Sequence, residues 1–233
     1  MGETDAFPAS EMPLARRYDC VLAISRSGTT TEVLRLLEAL SGRVETVAVT
    51  AVAGTPVARC ASRALVLDFA DERSVVQTRF PTTVLALLRT RLGGDVEGAA
   101  RDAERALDAE IVAVPDHAGH FVFLGRGWTV GLACEAALKM REMVGAWAEA
   151  YPAMEYRHGP ISVAGERSVV WALGDVPGDL LNDVRATGAR IVGNGWDPMA
   201  ELVLIQRVAV RMARAAGRDP GRPRRVSRSI VLE

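Results

Sequence analysis

Lysine is nearly missing from this 233-residue chain: of 28 cationic side chains, one alone, Lys139, is a lysine. The matching excess of Ala, Arg, Gly and Val points to a GC-rich genome and is silent on function. Cysteine is also sparse. Cys20, Cys60 and Cys134 lie in or beside apolar runs without metal-type spacing, which predicts reduced, buried thiols in a cytoplasm. No His/Cys/Asp cluster has metal-ligand spacing, so no metal is expected. Neither sign of charge dominates. The formal net charge is -1, which supplies no field toward nucleic acid or membrane. No apolar run approaches a membrane span, and Met1–Ser10 is polar and acidic, unlike a signal peptide. What is present, 49% hydrophobic and 24% charged residues, describes a soluble globular protein of one large or two ordinary domains.

Strand and helix patterns alternate along the chain. Asp19–Ile24 is apolar from Cys20 onward, as a strand buried on both faces would be. A helix over Thr30–Ser41, a strand over Val44–Thr50, a short helix over Thr55–Ala61 and a strand over Ala64–Asp68 follow. Ser74–Leu92 reads as a long helix, with Pro81 kinking it or marking a break near its start. Gly93-Gly94 ends this unit, and Asp95–Glu110 reads as a connecting helix. The pattern then restarts with a strand at His120–Leu124, a Gly125-Arg126-Gly127 turn and a helix over Thr129–Val144. Trp147–Val163 reads as irregular. Strand Ser168–Leu173, helix Gly178–Thr187, strand Ala189–Val192 and helix Met199–Ala216 complete the series. Such alternation predicts parallel sheets with helices on both faces, here two similar α/β domains. Gly2–Met12 offers at best one short strand and a turn.

The most telling stretch is Ser25-Arg26-Ser27-Gly28-Thr29-Thr30, between the first strand and its helix. A helix N-terminus presents unpaired N–H groups and about half a positive charge. Hydroxyls there cap the helix, or donate to phosphate oxygens, while Gly28 lets the backbone come close. For Ser-x-Ser-Gly-x-Thr after a strand, the small-anion reading is preferred. Glu135, Lys139 and Glu142 share one helix face. On spacing alone they describe a solvated surface with weak ion pairs. His158, in Arg157-His158-Gly159-Pro160, is a loop histidine of the sort that is more often structural, although imidazole exchanges protons near neutral pH. His117 and His120 read as surface residues. Gly125-Arg126-Gly127 lacks the third glycine of a dinucleotide fingerprint, so no cofactor is expected. The tail Gly217–Glu233 carries Arg218, Arg222, Arg224, Arg225 and Arg228. It is either a mobile basic tail or, through its apolar end, a segment packed on the body.

In order and spacing, the hydroxyl loop, Gly125-Arg126-Gly127, Glu135 to Glu142, Ala148-Glu149-Ala150-Tyr151, Arg157-His158-Gly159-Pro160 and Pro223 to Glu233 resemble the sugar isomerase (SIS) family. The resemblance is strongest to the isomerase half of its glucosamine-6-phosphate synthase branch. It implies two doubly wound parallel-sheet, flavodoxin-like SIS domains, the first incomplete: 1–94, lacking an N-terminal strand–helix unit, and 119–216. Residues 95–118 would connect them, and 217–233 would be a tail near the active site. It implies a site built from both halves. Ser25, Arg26, Ser27, Gly28 and Thr30 would hold a sugar phosphate, with Val75, Gln77, Glu135 and Lys139 also lining the substrate. Glu142 would be the base between C1 and C2, and His158, from across a homodimer interface, would assist ring opening. Arg228 stands where the family has a lysine; it can bind an oxyanion but cannot form an imine. No glutamine-hydrolysing domain is expected. The absent strand is central in the family's sheet, so its loss predicts either an upstream start or a second chain filling the gap. The expected partners are a sugar-phosphate substrate and a second copy of the chain, without nucleic acid or membrane. A non-catalytic sugar-phosphate sensor is the rival, and a nucleic-acid-linked regulator using the tail is the lesser one.

Overall fold

The computed structural model describes residues 3–111, 114 and 118–232. The chain forms two compact units, Met1–Leu88 with Arg225–Glu233, and Arg89–Arg224. Each has its own parallel α/β sheet.

In the first unit the strands β1 (Cys20–Ile24), β2 (Glu45–Thr50) and β3 (Arg63–Val66) lie side by side in that order, all parallel. Helix α1 (Thr31–Leu40) forms because Val33, Leu37 and Leu40 recur on one face, and all three are buried. With α2 (Pro56–Cys60) it covers Ala23 and Ala48. Thr55 caps α2 by accepting from Ala58 N (3.4 Å), and Pro56 occupies its first turn, where no N–H is needed. On the opposite face α3 (Arg79–Arg91) packs Phe80 and Val84 against Val49 and Leu67.

Four expectations change here. Strand β1 is not buried on both faces: Leu22 and Ile24 are 42% and 46% exposed, because β1 is an edge strand and the α3 cluster contains no β1 residue. The long helix starts at Arg79 rather than Ser74. The Glu72 carboxylate accepts from Thr78 N (2.9 Å), Phe80 N (3.2 Å) and Arg79 N (3.3 Å), and Pro81 falls in the first turn, marking the helix start. Among the described residues 3–12 there is a 3-10 turn, Ala9–Glu11, and no strand. The thiols of Cys20 and Cys134 are exposed and that of Cys60 is half-buried.

The second unit holds β4 (His120–Gly125), β5 (Trp147–Pro152), β6 (Ser168–Leu173) and β7 (Arg190–Val192) in the order β5-β4-β6-β7, again all parallel. The order reverses at β4, the strand from whose carboxyl end α5 (Thr129–Lys139) departs, and such a reversal is where α/β sheets open a crevice. Helices α4 (Val96–Asp108) and α7 (Pro198–Ala215) pack together, and α7 also packs on α5. Helix α6 (Gly178–Ala186) covers the opposite face, where Leu180 and Val184 join Val122, Leu124 and Val170.

Trp147–Val163 is therefore not irregular. It contains β5 and two 3-10 stretches, Ala153–His158 and Pro160–Val163. The two prolines that suggest irregularity, Pro152 and Pro160, fall instead at the last residue of the edge strand β5 and the first residue of a 3-10 stretch. His120 is not a surface residue: its side chain bonds Ser168 Oγ (3.0 Å) and Glu149 Oε2 (2.8 Å) at the first turn of the ladder. His117 lies outside the described residues. Among the described residues no helix is long and apolar enough to cross a membrane.

Candidate functional site

In the first unit, Ser25 N donates to Val49 O (3.0 Å), carrying the β1–β2 ladder one step further before the chain turns. The hydroxyl loop thereby sits at the carboxyl end of β1 and opens directly into α1. Thr30 takes the N-cap position in extended geometry, with no bond from its side chain to the helix backbone, and Ser25 Oγ lies 3.2 Å from Thr30 Oγ1. Gly28 turns through φ +64°, and a Cβ there would collide with the Thr55 side chain, 2.6 Å from its Cβ. A cavity of about 210 Å³ opens beside the loop, lined by Ser25, Arg26, Ser27, Thr30, Gln77 and Arg228 together with apolar side chains such as Phe80.

Arg26 is the buried cation of this cavity, 2% exposed. Its guanidinium donates to four carbonyls, those of Ser74 (2.9 Å), Arg228 (3.1 Å), Glu72 (3.2 Å) and Val75 (3.3 Å). It braces the 72–75 turn and the tail against the loop. Burial first, and then repulsion from Arg228, holds its pKa below the usual arginine value. Arg228 is paired in turn with both oxygens of Asp71 (2.6 and 2.8 Å) and donates to Glu72 O (2.5 Å). The tail also seats Ser229 Oγ 3.1 Å from Ser27 Oγ and 2.8 Å from Thr29 Oγ1. The tail is thus packed on the body rather than a mobile basic arm. Hydroxyls, helix-end amides and guanidinium charge around one small cavity are the chemistry of oxyanion binding.

In the second unit the Glu135, Lys139, Glu142 face is not a solvated one. Lys139 is 2% exposed, with Nζ 2.5 Å from Glu142 Oε2 and 3.4 Å from Glu135 Oε1. The α-helix ends at Lys139 and continues as a single π turn, Met140–Val144, closed by Gly145 in the left-handed conformation. Such a turn re-aims one side chain relative to the helix before it, and here it carries Glu142. Leu132, Ala133, Ala136, Ala137, Met140 and Met143 of this stretch are buried in the core, and Val130 and Val144 are half-buried. His158 ends a 3-10 stretch and is exposed, while its neighbour Arg157 pairs with Asp179 (2.9 Å) and Asp183 (2.8 Å).

Residues 1–90 match the family described as SIS domain. The first 90 residues are thus similar to a SIS domain. Among curated relatives, the glutamine–fructose-6-phosphate aminotransferase of Methanothermobacter thermautotrophicus is 27% identical over 99% of this chain and 47% of its own length. That of Aeropyrum pernix is 29% identical over 91% and 43%. The chain thus spans about half the length of the curated relatives it matches. Among solved structures, the glucosamine-6-phosphate deaminase of Thermotoga maritima superposes with a TM-score of 0.84 at 25% identity, covering 97% of this chain and 81% of that one. The C-terminal domain of the Francisella tularensis glucosamine-fructose-6-phosphate aminotransferase gives 0.72 at 22%, covering 88% and 73%.

In the first unit the residues named from sequence come together: Ser25, Arg26, Ser27, Thr30, Gln77 and Arg228 line one cavity, Val75 O accepts from Arg26, and Gly28 shapes the turn. Glu135, Lys139 and Glu142 come together in the second unit, where His158 is exposed. Sequence reasoning missed Asp71, Glu72 and Ser229. Asp71-Glu72 immediately ahead of a helical run was the available signal for the first two. Nothing local marks Ser229, whose partners lie some 200 residues away.

Proposed function

We propose that this protein binds a hexose or amino-sugar 6-phosphate and, in the cytoplasm, interconverts its aldose and ketose forms or isomerises and deaminates an amino-sugar phosphate. The cavity at the carboxyl end of β1 carries the reading: three hydroxyls and two guanidiniums in so small a space suit a phosphoryl group. The names of its aminotransferase and deaminase relatives support a phosphorylated amino sugar. The phosphate, remote from the reacting carbons, would supply binding energy for orientation.

Glu142 is the proposed base, taking a proton from one of C1 and C2 and returning it to the other through an enediol. Lys139 and the π turn fix its carboxylate, and Glu135 supports Lys139 from one turn earlier. His158, supplied by the second copy of a homodimer, would assist ring opening. Arg228 would steady an oxyanion, since a guanidinium cannot form the imine that amination of a ketose needs. The experiment is solvent deuterium exchange at C1 and C2 of candidate sugar phosphates. Glu142→Gln is expected to lose exchange while still binding the phosphate, and exchange that persists in that variant removes Glu142 from the mechanism.

A second reading, a sugar-phosphate sensor, is favoured by the pinning of Arg228 on Asp71, which suits a binding role. Thermal stabilisation by a hexose phosphate without turnover of any of them would select it.

A further inference from the structure

The hydroxyl protons around the loop can be counted. Ser27 Oγ accepts from Thr29 N (3.3 Å) and from Thr29 Oγ1 (3.2 Å), and it donates its single proton to Ser229 Oγ (3.1 Å). Ser229 in turn reaches Thr29 Oγ1 at 2.8 Å. With Thr29 donating to Ser27, the Ser229 proton completes a closed ring, Ser27 to Ser229 to Thr29 to Ser27. A hydroxyl has one proton to give, so all three are committed. The Ser25–Thr30 contact uses one proton of two and leaves the other for a ligand. The next tail residue takes a further donor: Thr31 N, the first amide of α1, donates to Ile230 O (3.1 Å). The tail is fastened beyond this point by Leu232 N donating to Thr31 Oγ1 (2.8 Å), and before it by Arg26 holding the Arg228 carbonyl.

We infer that Ser229 is a positioning residue of the anion site, and that it withholds the Ser27 proton until an anion displaces it. The inference rests on the phosphate reading above and adds to it. The loop binds an oxyanion at full strength only when the ring opens at Ser229, so tail contact and anion contact compete for the same proton. Because the ring is neutral and local, its opening exchanges one hydroxyl–hydroxyl bond for a charge-assisted one. Binding the anion therefore loosens the tail at Ser229 while leaving the ion pair of Arg228 with Asp71 intact.

The test uses the full-length chain and two probes, inorganic phosphate and glucosamine 6-phosphate, with affinities from calorimetry. Ser229→Ala is expected to bind both roughly five-fold more tightly, the worth of one hydrogen bond no longer given up. Ser229→Thr, which keeps the hydroxyl, is expected to return to the wild-type affinity. Ser27→Ala is expected to bind more weakly, and in the Ser27→Ala/Ser229→Ala double variant the gain is expected to vanish. A purely structural serine would not raise affinity on removal. Unchanged affinity in Ser229→Ala overturns the inference alone. Weaker binding in Ser229→Ala also overturns it, by making Ser229 a direct ligand. If neither probe binds wild type or Ser229→Ala, the phosphate reading itself falls, and the inference with it.

Discussion

Replacing Lys139 by methionine is the sharpest test of the second unit. The substitution keeps the length of the stem and removes the only ammonium facing two carboxylates. Glu135 and Glu142 would be left with their charges on the helix face that Lys139 had neutralised. Breaking a buried pair by deleting one partner costs about 3–5 kcal/mol. The two carboxylates keep 23% and 18% side-chain exposure, so water recovers part of that, and we expect a loss of about 2–4 kcal/mol. All four tryptophans, Trp128, Trp147, Trp171 and Trp196, lie in the second unit, so urea unfolding followed by their fluorescence reports this unit specifically. At a slope of about 3 kcal/mol per molar urea the midpoint should fall by about 1 M. Pairing the change with Glu142→Gln should recover part of the loss, since one of the stranded charges is then gone. A Lys139→Met protein that loses less than about 1 kcal/mol, or a double variant whose losses simply add, would refute the view that this ammonium is a buried electrostatic hub.

Two further outcomes are expected. Gly28→Ala should lose anion binding and melt several degrees lower, because the left-handed turn and the neighbouring Thr55 side chain both exclude a Cβ; a variant that binds phosphate normally would contradict the loop geometry. Tyr156 is fully buried, its hydroxyl has no hydrogen-bond partner among the described residues, and burial, then Tyr151 and Glu149, push it up to about 12. A pKa raised above the unfolded value of about 10 gives stability that is complete below pH 10 and is lost as pH climbs toward 12. Tyr156→Phe should be at least as stable at pH 7 and should flatten that alkaline decline, which pH-dependent melting would check.

The alternation of strands and helices was legible from the letters, because parallel strands and their crossover helices differ in hydrophobic period. Boundaries failed where a side chain ahead of the run overrode its apolar pattern. Glu72 starts α3 at Arg79 by capping three amides, and no helix pattern in 74–78 could have revealed it. Edge strands were the other blind spot. β5 was hidden by Pro152 and Pro160, and β1 looked doubly buried although Leu22 and Ile24 are exposed, because the letters of a strand do not say which side a helix will cover.

The same division holds for the candidate site. Ser25 to Thr30 announced themselves as a phosphate-type turn because helix-end amides, glycine and hydroxyls act within a few residues of each other. The charge state of the Glu135, Lys139 and Glu142 face could not be read that way. Helical spacing brings them to one face, but only packing decides whether that face meets water, and here it buries the ammonium. Nor could any local pattern join Ser229 and Arg228 to a loop 200 residues earlier. Chain order determined which hydroxyls and amides gather at one helix end. The tertiary fold alone decided which of their protons are already spent, since hydrogen-bond partners are chosen by distance in space and not along the chain.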